Sequence, residues 1–173
     1  MKTKPYSSII LFFAIVCLSI NLAACSDYDD NNGNYNDTSH EEQAKAYFTV
    51  FETLFAADQA LNSDAIYIVF DLSNTMIADP EPLIALFQGF CEENGYEFML
   101  DTIDGLREKG YIKDFYFEEG FVIVFNDIKL EANLLVTSAQ KWRSGLGAIG
   151  ADYTVEKNGN VWEITKTDNS WIS

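Results

Sequence analysis

The amino-acid sequence predicts an α+β fold in which an N-terminal helix and one β-α-β unit pack on a mostly antiparallel C-terminal sheet. Apolar residues recur at three- and four-residue steps over residues 44–61, as on the buried face of an amphipathic helix. A continuous apolar run at residues 65–70 is typical of a strand that is covered on both faces. From Phe115 onward, short β-branched and aromatic runs alternate with turn residues, which favours antiparallel strands.

The first helix follows a capping-box pattern. In the run that begins at Ser39 and ends at Glu42, the serine hydroxyl can accept from the Glu42 backbone N–H while the Glu42 carboxylate reaches back. The sequence therefore predicts a helix that begins at Ser39 and a single globular domain over residues 39–173. A domain of this length can bury roughly two-thirds of the surface that its unfolded chain exposes, so it needs no disulfide.

The β-α-β unit joins the strand at residues 65–70 to a short strand at residues 96–100. The connecting helix begins after a turn with two prolines at residues 79–82 and ends at Asn94-Gly95, where glycine is a common C-terminal residue. A short helix at residues 102–109 follows. This order of elements predicts one parallel pair of strands.

Five antiparallel strands are predicted in the remaining chain, at residues 115–117, 121–130, 134–142, 151–157 and 160–167. The last two flank a two-residue turn at Asn158-Gly159. Counting outward from that turn pairs Val155 with Trp162 on an apolar face. We therefore expect Trp162 to pack in the core.

The N-terminal residues have the features of a secretory signal peptide. Lys2 and Lys4 precede an apolar run at residues 9–20, which is followed by the small residues Ala23 and Ala24. The apolar run is shorter than the roughly 20 residues that a membrane-spanning helix needs. We therefore predict a signal peptide over residues 1–24.

The run Leu22-Ala23-Ala24-Cys25 resembles the lipobox of bacterial lipoproteins. The resemblance implies cleavage between Ala24 and Cys25, with acyl chains added at Cys25. Several acyl chains exceed the one-chain limit at which membrane binding is only marginal. The expected partner of Cys25 is therefore the membrane itself.

Residues Ser26, Asp27, Asp29 and Asp30 resemble the export signal of envelope lipoproteins in Bacteroidetes-type bacteria. That signal implies a location on the outer membrane, facing the cell exterior. An acidic, Asn-rich segment over residues 25–38 is equally typical of a solvated tether. Both interpretations place the globular domain beyond the anchor.

The C-terminal third also resembles small, largely uncharacterised bacterial envelope lipoproteins. The similarity lies in residues 143–150, 153–155, 162–164 and 171–173. It implies the same fold and location, and it carries over no catalytic residue.

Charge content argues against one class of partner, and cysteine content argues against a reactive thiol. The chain has 11 basic and 27 acidic residues. Removing residues 1–24 removes two lysines, so 9 − 27 gives a mature charge of −18. A negative field of this size disfavours nucleic acid.

Cys91 is the third cysteine besides Cys17 and Cys25, and its apolar helical neighbours predict a buried small side chain rather than a reactive thiol.

No cofactor or metal ion is expected from the motifs. Residues Gly145, Gly147 and Gly150 form G-x-G-x-x-G, but a strand follows them where a nucleotide-binding fold needs a helix, so we interpret them as a turn or a close-packed connection between strands. His40 is the single histidine, which leaves zinc sites and catalytic triads unsupported.

Asp71 is the main candidate for catalysis. The run from Ile68 to Thr75 resembles the first motif of haloacid-dehalogenase-type phosphatases, in which the first Asp of Asp-x-Asp is a nucleophile. Ser73 stands where that motif has its second Asp. The structural alternative is a strand-end Asp that closes a turn.

Two tryptophans suggest binding instead. Trp142 and Trp171 are less constrained by the predicted hairpin than Trp162, so they are candidate binding residues for a protein or a glycan. The sequence therefore favours a lipid-anchored, non-catalytic binding or assembly module, which includes the case of an accessory subunit. The alternative function is a lipid-anchored hydrolase that uses carboxylates.

Overall fold

The computed structural model describes residues 37–173. The predictions for the signal peptide, for Cys25, for residues 26–30 and for the rest of the tether up to residue 36 lie outside these residues. None of the helices within residues 37–173 combines the length and apolar character needed to cross a membrane.

Three α-helices and one 3₁₀-helix are described: α1 (Asp37–Ala56), the 3₁₀-helix (Gln59–Asn62), α2 (Glu81–Asn94) and α3 (Ile103–Glu108). The strands are β1 (Tyr67–Asn74), β2 (Glu97–Leu100), β3 (Ile112–Lys113), β4 (Tyr116–Phe117), β5 (Gly120–Glu131), β6 (Leu134–Ser144), β7 (Gly147–Asn158) and β8 (Val161–Ile172).

All eight strands belong to one sheet, in which β2, β1, β5, β6, β7 and β8 lie side by side. Strand β1 is parallel to β2, as the sequence predicts, and it is also parallel to β5. The pairs from β5 to β8 are antiparallel. The small β3–β4 hairpin joins β6 through Tyr116 and Ser144. The predicted α+β fold is confirmed, with one parallel pair more than the sequence indicates.

Helix α1 begins at Asp37, so the predicted start at Ser39 is wrong by two residues. Ser39 lies inside the helix. The Glu42 carboxylate accepts from Lys45 and lies 2.8 Å from the Lys157 ammonium at the end of β7. Two lysines donate to Glu42 and lower the pKa of its carboxyl group, and Lys157 contributes more than Lys45. Glu42 therefore fixes the N-terminal end of α1 to the end of β7.

The main core lies between the sheet and helices α1 and α2. Phe87 from α2 is fully buried at its centre. Its ring is stacked on that of Phe70 at 3.9 Å and meets that of Phe51 edge-to-face at 5.3 Å. Cys91 is also fully buried, as predicted, and burial raises the pKa of its thiol to about 12. The thiol therefore stays protonated at neutral pH.

A smaller core covers the other face of β1 and β5. Residue Leu106 from α3 packs there with Ile112 and Phe117 from the β3–β4 hairpin, against Val69 and Val122. The two cores show that α2 and α3 lie on opposite faces of the sheet. On the same face of the sheet, the part formed by β6, β7 and β8 lies outside this core except for Trp142, which packs against it.

The hairpin between β7 and β8 corrects the predicted register. The turn residues are Gly159-Asn160, and Val155 pairs with Ile164 instead of Trp162. Gly159 has φ +63°, which suits a glycine at the first position of a two-residue turn. A shift by two residues leaves every side chain on its predicted face. Trp162 is therefore buried, 6% exposed, as expected.

Two buried cations from β6 hold the end of α1 and the loop after it. The Lys141 ammonium donates to the backbone oxygens of Ala57 and Asp58 and to the side-chain oxygen of Asn62. Arg143 donates to backbone oxygens of Leu61, Ser63 and Glu118. Lys141 is fully buried, and burial lowers its pKa to about 8. The last turn of α1 has no basic residue of its own, so β6 supplies the positive charge that a helix C-terminus favours.

Candidate functional site

One face of β6, β7 and β8 points away from helix α1. Lys141 and Arg143 point towards the α1 side of β6, so alternate residues of that strand point to the other side. We call this second side the open face and define it by the residues that the strand register places on it: Ser138, Gln140, Trp142, Ala148, Gly150, Asp152, Lys166, Asp168 and Trp171. Most of its side chains are partly or fully exposed.

Trp171 lies against the backbone of Gly150 at the centre of the open face. The two residues are cross-strand partners in β7 and β8. A Cβ atom at position 150 would lie 2.7–2.9 Å from three atoms of the indole ring, which is closer than atoms can approach. Only glycine therefore allows the ring to rest there. Trp171 is nevertheless 41% exposed, so much of its aromatic surface faces solvent.

Trp142 has a different environment. It pairs with Ala148 on the open face, but it is partly buried because its ring packs against the smaller core around Leu106 and Phe117. Of the two candidate binding residues, Trp171 thus offers the larger exposed surface. Trp142 lies at the border where the open face meets the β3–β4 hairpin.

Asp152 provides a fixed carboxylate beside Trp171. Its Oδ2 accepts a 2.6 Å hydrogen bond from the Asn169 amide, and its carboxylate also accepts from Ser138. The Asn169 bond and then the Ser138 bond lower the pKa of Asp152. Asp152 is therefore ionised at neutral pH and held in one orientation.

Asn169 reaches Asp152 because β8 bulges at this point. The register between β7 and β8 shifts between Gly150 and Asp152, and Asn169 adopts φ +48° within the bulge. Asparagine tolerates this left-handed conformation better than most residues. The bulge also turns the C-terminal part of β8 so that Trp171 faces Gly150.

Two further polar groups belong to the open face. One is the indole N–H of Trp171 and the other is the side-chain amide of Gln140, which pairs with Gly150 across β6 and β7. The exposed indole, an amide and a fixed carboxylate therefore surround one glycine. Such a mixture can bind an uncharged ligand that has both apolar surface and hydroxyl groups.

Asp71 lies within β1, three residues before the strand ends at Asn74, where it pairs with Val124 of β5 and is 8% exposed. Its Oδ1 accepts from the Ser73 backbone N–H at 3.0 Å and from the Ser73 hydroxyl at 2.6 Å. These contacts form the local turn that Asp side chains commonly make with the residue two positions on. The contacts to Ser73 agree with the structural alternative for Asp71, but its strand-end position is wrong because β1 continues to Asn74. The nucleophile interpretation stays a hypothesis from the sequence.

A shallow cavity of about 450 Å³ adjoins Asp71 at the ends of β1 and β2. Its second carboxylate, Asp101, accepts from the Thr102 N–H and forms a 2.7 Å ion pair with Lys109. Both carboxylates therefore already have local partners, and the rest of the lining is mainly apolar. In the described part of the chain, no group of three or more His, Cys, Asp and Glu side chains is placed to hold a metal ion.

The sequence identifies Trp171 as a candidate but gives no reason to connect it with Gly150, Asp152 and Asn169. The predicted last strand ends at Thr167, whereas β8 continues to Ile172. Four polar residues precede Trp171, and this composition hides the end of the strand. The only available signal is Gly150 itself, because a glycine within a strand often marks close approach by another group.

The open face therefore combines the most exposed tryptophan with polar groups that are held in place. Comparisons of the chain with protein-family models, with curated proteins and with solved structures found no match.

Proposed function

We propose that this chain is a lipid-anchored protein of the outer membrane, facing the cell exterior, and that it acts as a non-catalytic binding module through its open face. The observation that carries the proposal is the partial exposure of Trp171 against Gly150. Burying an aromatic side chain of this size is a strong contribution to binding. The resemblance of residues 22–25 to a lipobox supports the anchor.

The position of Trp171 in the sheet suits an anchored protein. Glu42 near the start of α1 contacts Lys157, and Gly150 lies seven residues along β7 from that lysine. At about 3.4 Å per residue, the distance along the strand is about 24 Å. Trp171 and Gly150 therefore lie well away from the end of the domain at which α1 begins.

The anchor predicts a specific mature N-terminus. We expect the protein purified from cell envelopes to begin at Cys25 and to have a mass that includes acyl chains, as measured by intact-mass spectrometry. A Cys25→Ser variant should leave the envelope fraction, because it lacks the acylated thiol. A non-acylated protein that begins at another residue would contradict the anchor.

The binding face predicts that one side chain controls partner capture. The full chain, solubilised in detergent and immobilised, should retain a component of a native envelope extract. We expect Trp171→Ala to reduce retention by about tenfold or more, equivalent to about 1.4 kcal/mol, because the exposed indole is lost. Gel-based quantification of the eluted material provides the measurement.

A matched control is Ile128→Ala, which removes another exposed apolar side chain, 62% exposed, from strand β5. Retention by this variant should equal that of the wild type. Equal retention by all three proteins, or no retention by any of them, would contradict the role of the open face.

A further inference from the structure

We propose that the ligand of the open face is a neutral glycan whose sugar ring stacks on Trp171, an inference that rests on the proposed function. The exposed indole offers apolar surface to the C–H groups of a sugar. The Asp152 carboxylate accepts from sugar hydroxyls, and the Gln140 amide both donates and accepts.

The groups around Trp171 fit hydroxyl groups better than they fit a protein partner. The centre of a protein interface is depleted of charged residues and contains clustered apolar anchors. Here the open face around Trp171 contains the apolar residues Ala148 and Trp142 on one side of Gly150. On the other side it is polar, with Asp152 and the Lys166–Asp168 ion pair at 2.5 Å. A hydroxyl-rich ligand satisfies such groups without leaving charges buried and unpaired.

Charge selects an uncharged glycan over an acidic one. Asp152 is ionised because Asn169 and Ser138 donate to it, and Lys166 is already paired with Asp168. An anionic sugar would therefore meet a carboxylate without a free cation among the open-face residues. The formal charge of the whole chain is −16, which adds long-range repulsion.

Gly150 acts as a positioning residue for the Trp171 indole ring on which the sugar stacks. The missing Cβ allows the indole to rest on β7, and a methyl group at that position would lie within 2.9 Å of three ring atoms. The ring would have to move, although every hydrogen-bonding side chain of the site would remain. Gly150→Ala therefore tests the platform while it keeps the tryptophan.

The experiment uses the immobilised full chain in detergent with a native envelope extract and with a panel of neutral polysaccharides: an α-glucan, a β-glucan, a mannan and a galactan. One portion of the extract is digested with proteinase, which is then inactivated. Another portion is oxidised with periodate, which cleaves the vicinal diols of sugars, and is then quenched. The untreated extract serves as the reference.

We expect capture to survive proteinase, to disappear after periodate and to occur with at least one neutral polysaccharide. Trp171→Ala and Gly150→Ala should each weaken capture by about tenfold or more, and Ile128→Ala should not. Circular dichroism of each variant checks that the fold is retained. The Asp152→Asn variant, which keeps the size of the side chain, should weaken capture by a smaller factor because an amide oxygen still accepts.

Two results would overturn the inference, and they differ in what they say about the proposed function. If capture depends on Trp171 but is lost after proteinase and survives periodate, the partner is a protein, and the binding module stands without the glycan. If no capture depends on Trp171 in the extract or the panel, both the glycan and the binding role of the open face are wrong.

Discussion

Replacing Lys141 by methionine is expected to reduce the free energy of unfolding by about 2–4 kcal/mol. The substitution keeps an unbranched side chain of similar length and removes the ammonium group. The oxygens of Ala57, Asp58 and Asn62 would then lose a buried donor, at a cost of about 1–3 kcal/mol for each group that stays unsatisfied. The C-terminus of α1 would also lose its nearby positive charge.

Part of this loss is offset because the ammonium group is itself costly to bury. Burial lowers the pKa of Lys141 to about 8, so the charged form is less favourable in the folded protein than in water. The net effect stays destabilising because four oxygen acceptors, those named above and the Phe55 carbonyl oxygen at 3.4 Å, depend on this one ammonium group. Urea-induced unfolding, followed by circular dichroism, measures the change as a shift of the midpoint.

Lys129→Met is the matched control for Lys141→Met. Lys129 lies on β5, its side chain is 50% exposed and it pairs with Glu131 at 2.9 Å. An exposed ion pair contributes little, so we expect a change of at most about 0.5 kcal/mol. Equal stability of the two variants would show that Lys141 does not hold the end of α1.

Replacing Phe87 by alanine is expected to cost about 3–5 kcal/mol, as is typical when a large aromatic side chain is removed from a core. Phe87 is fully buried, and its ring is stacked 3.9 Å from Phe70 and 6.2 Å from Phe125. The strands that supply these partners, β1 and β5, are hydrogen-bonded to each other in the sheet, so they cannot move far enough to fill a cavity of this size. Thermal unfolding should show a decrease of about 10 °C or more in the midpoint.

Phe115→Ala makes the same chemical change at a residue that is 69% exposed in the β3–β4 hairpin. We expect its unfolding free energy to stay within about 0.5 kcal/mol of the wild type. A small loss for Phe87→Ala, similar to that of Phe115→Ala, would mean that the core repacks around the missing ring.

The elements that the sequence predicts best are those with strong periodicity. Helix α2 and its αL residue Gly95 follow from an apolar stripe and a terminal glycine, and strand β1 follows from a continuous apolar run. The parallel contact between β1 and β5 could not be predicted in this way. It joins segments about 50 residues apart, and pairing of distant strands leaves no periodic signal in either one.

Local patterns failed where tertiary contacts compete with them. The capping box at Ser39 is a valid local pattern, but Glu42 is bound instead by Lys157, which lies 115 residues later in the chain. The two-residue error at the β7–β8 turn has a different cause. Asn158-Gly159 and Gly159-Asn160 are both acceptable two-residue turns, so the local sequence does not choose between them. The candidate site depends on a bulge at Asn169, and single-sequence patterns do not indicate bulges.

The buried Lys141 contacts also bear on how the domain carries mechanical load. Helix α1 is the first described element of the chain, so a pull applied from its N-terminal side reaches α1 before the sheet. The Glu42–Lys157 ion pair and the Lys141 contacts tie the two ends of α1 to β7 and β6. A pull would therefore be shared as shear between the helix and strands β6 and β7.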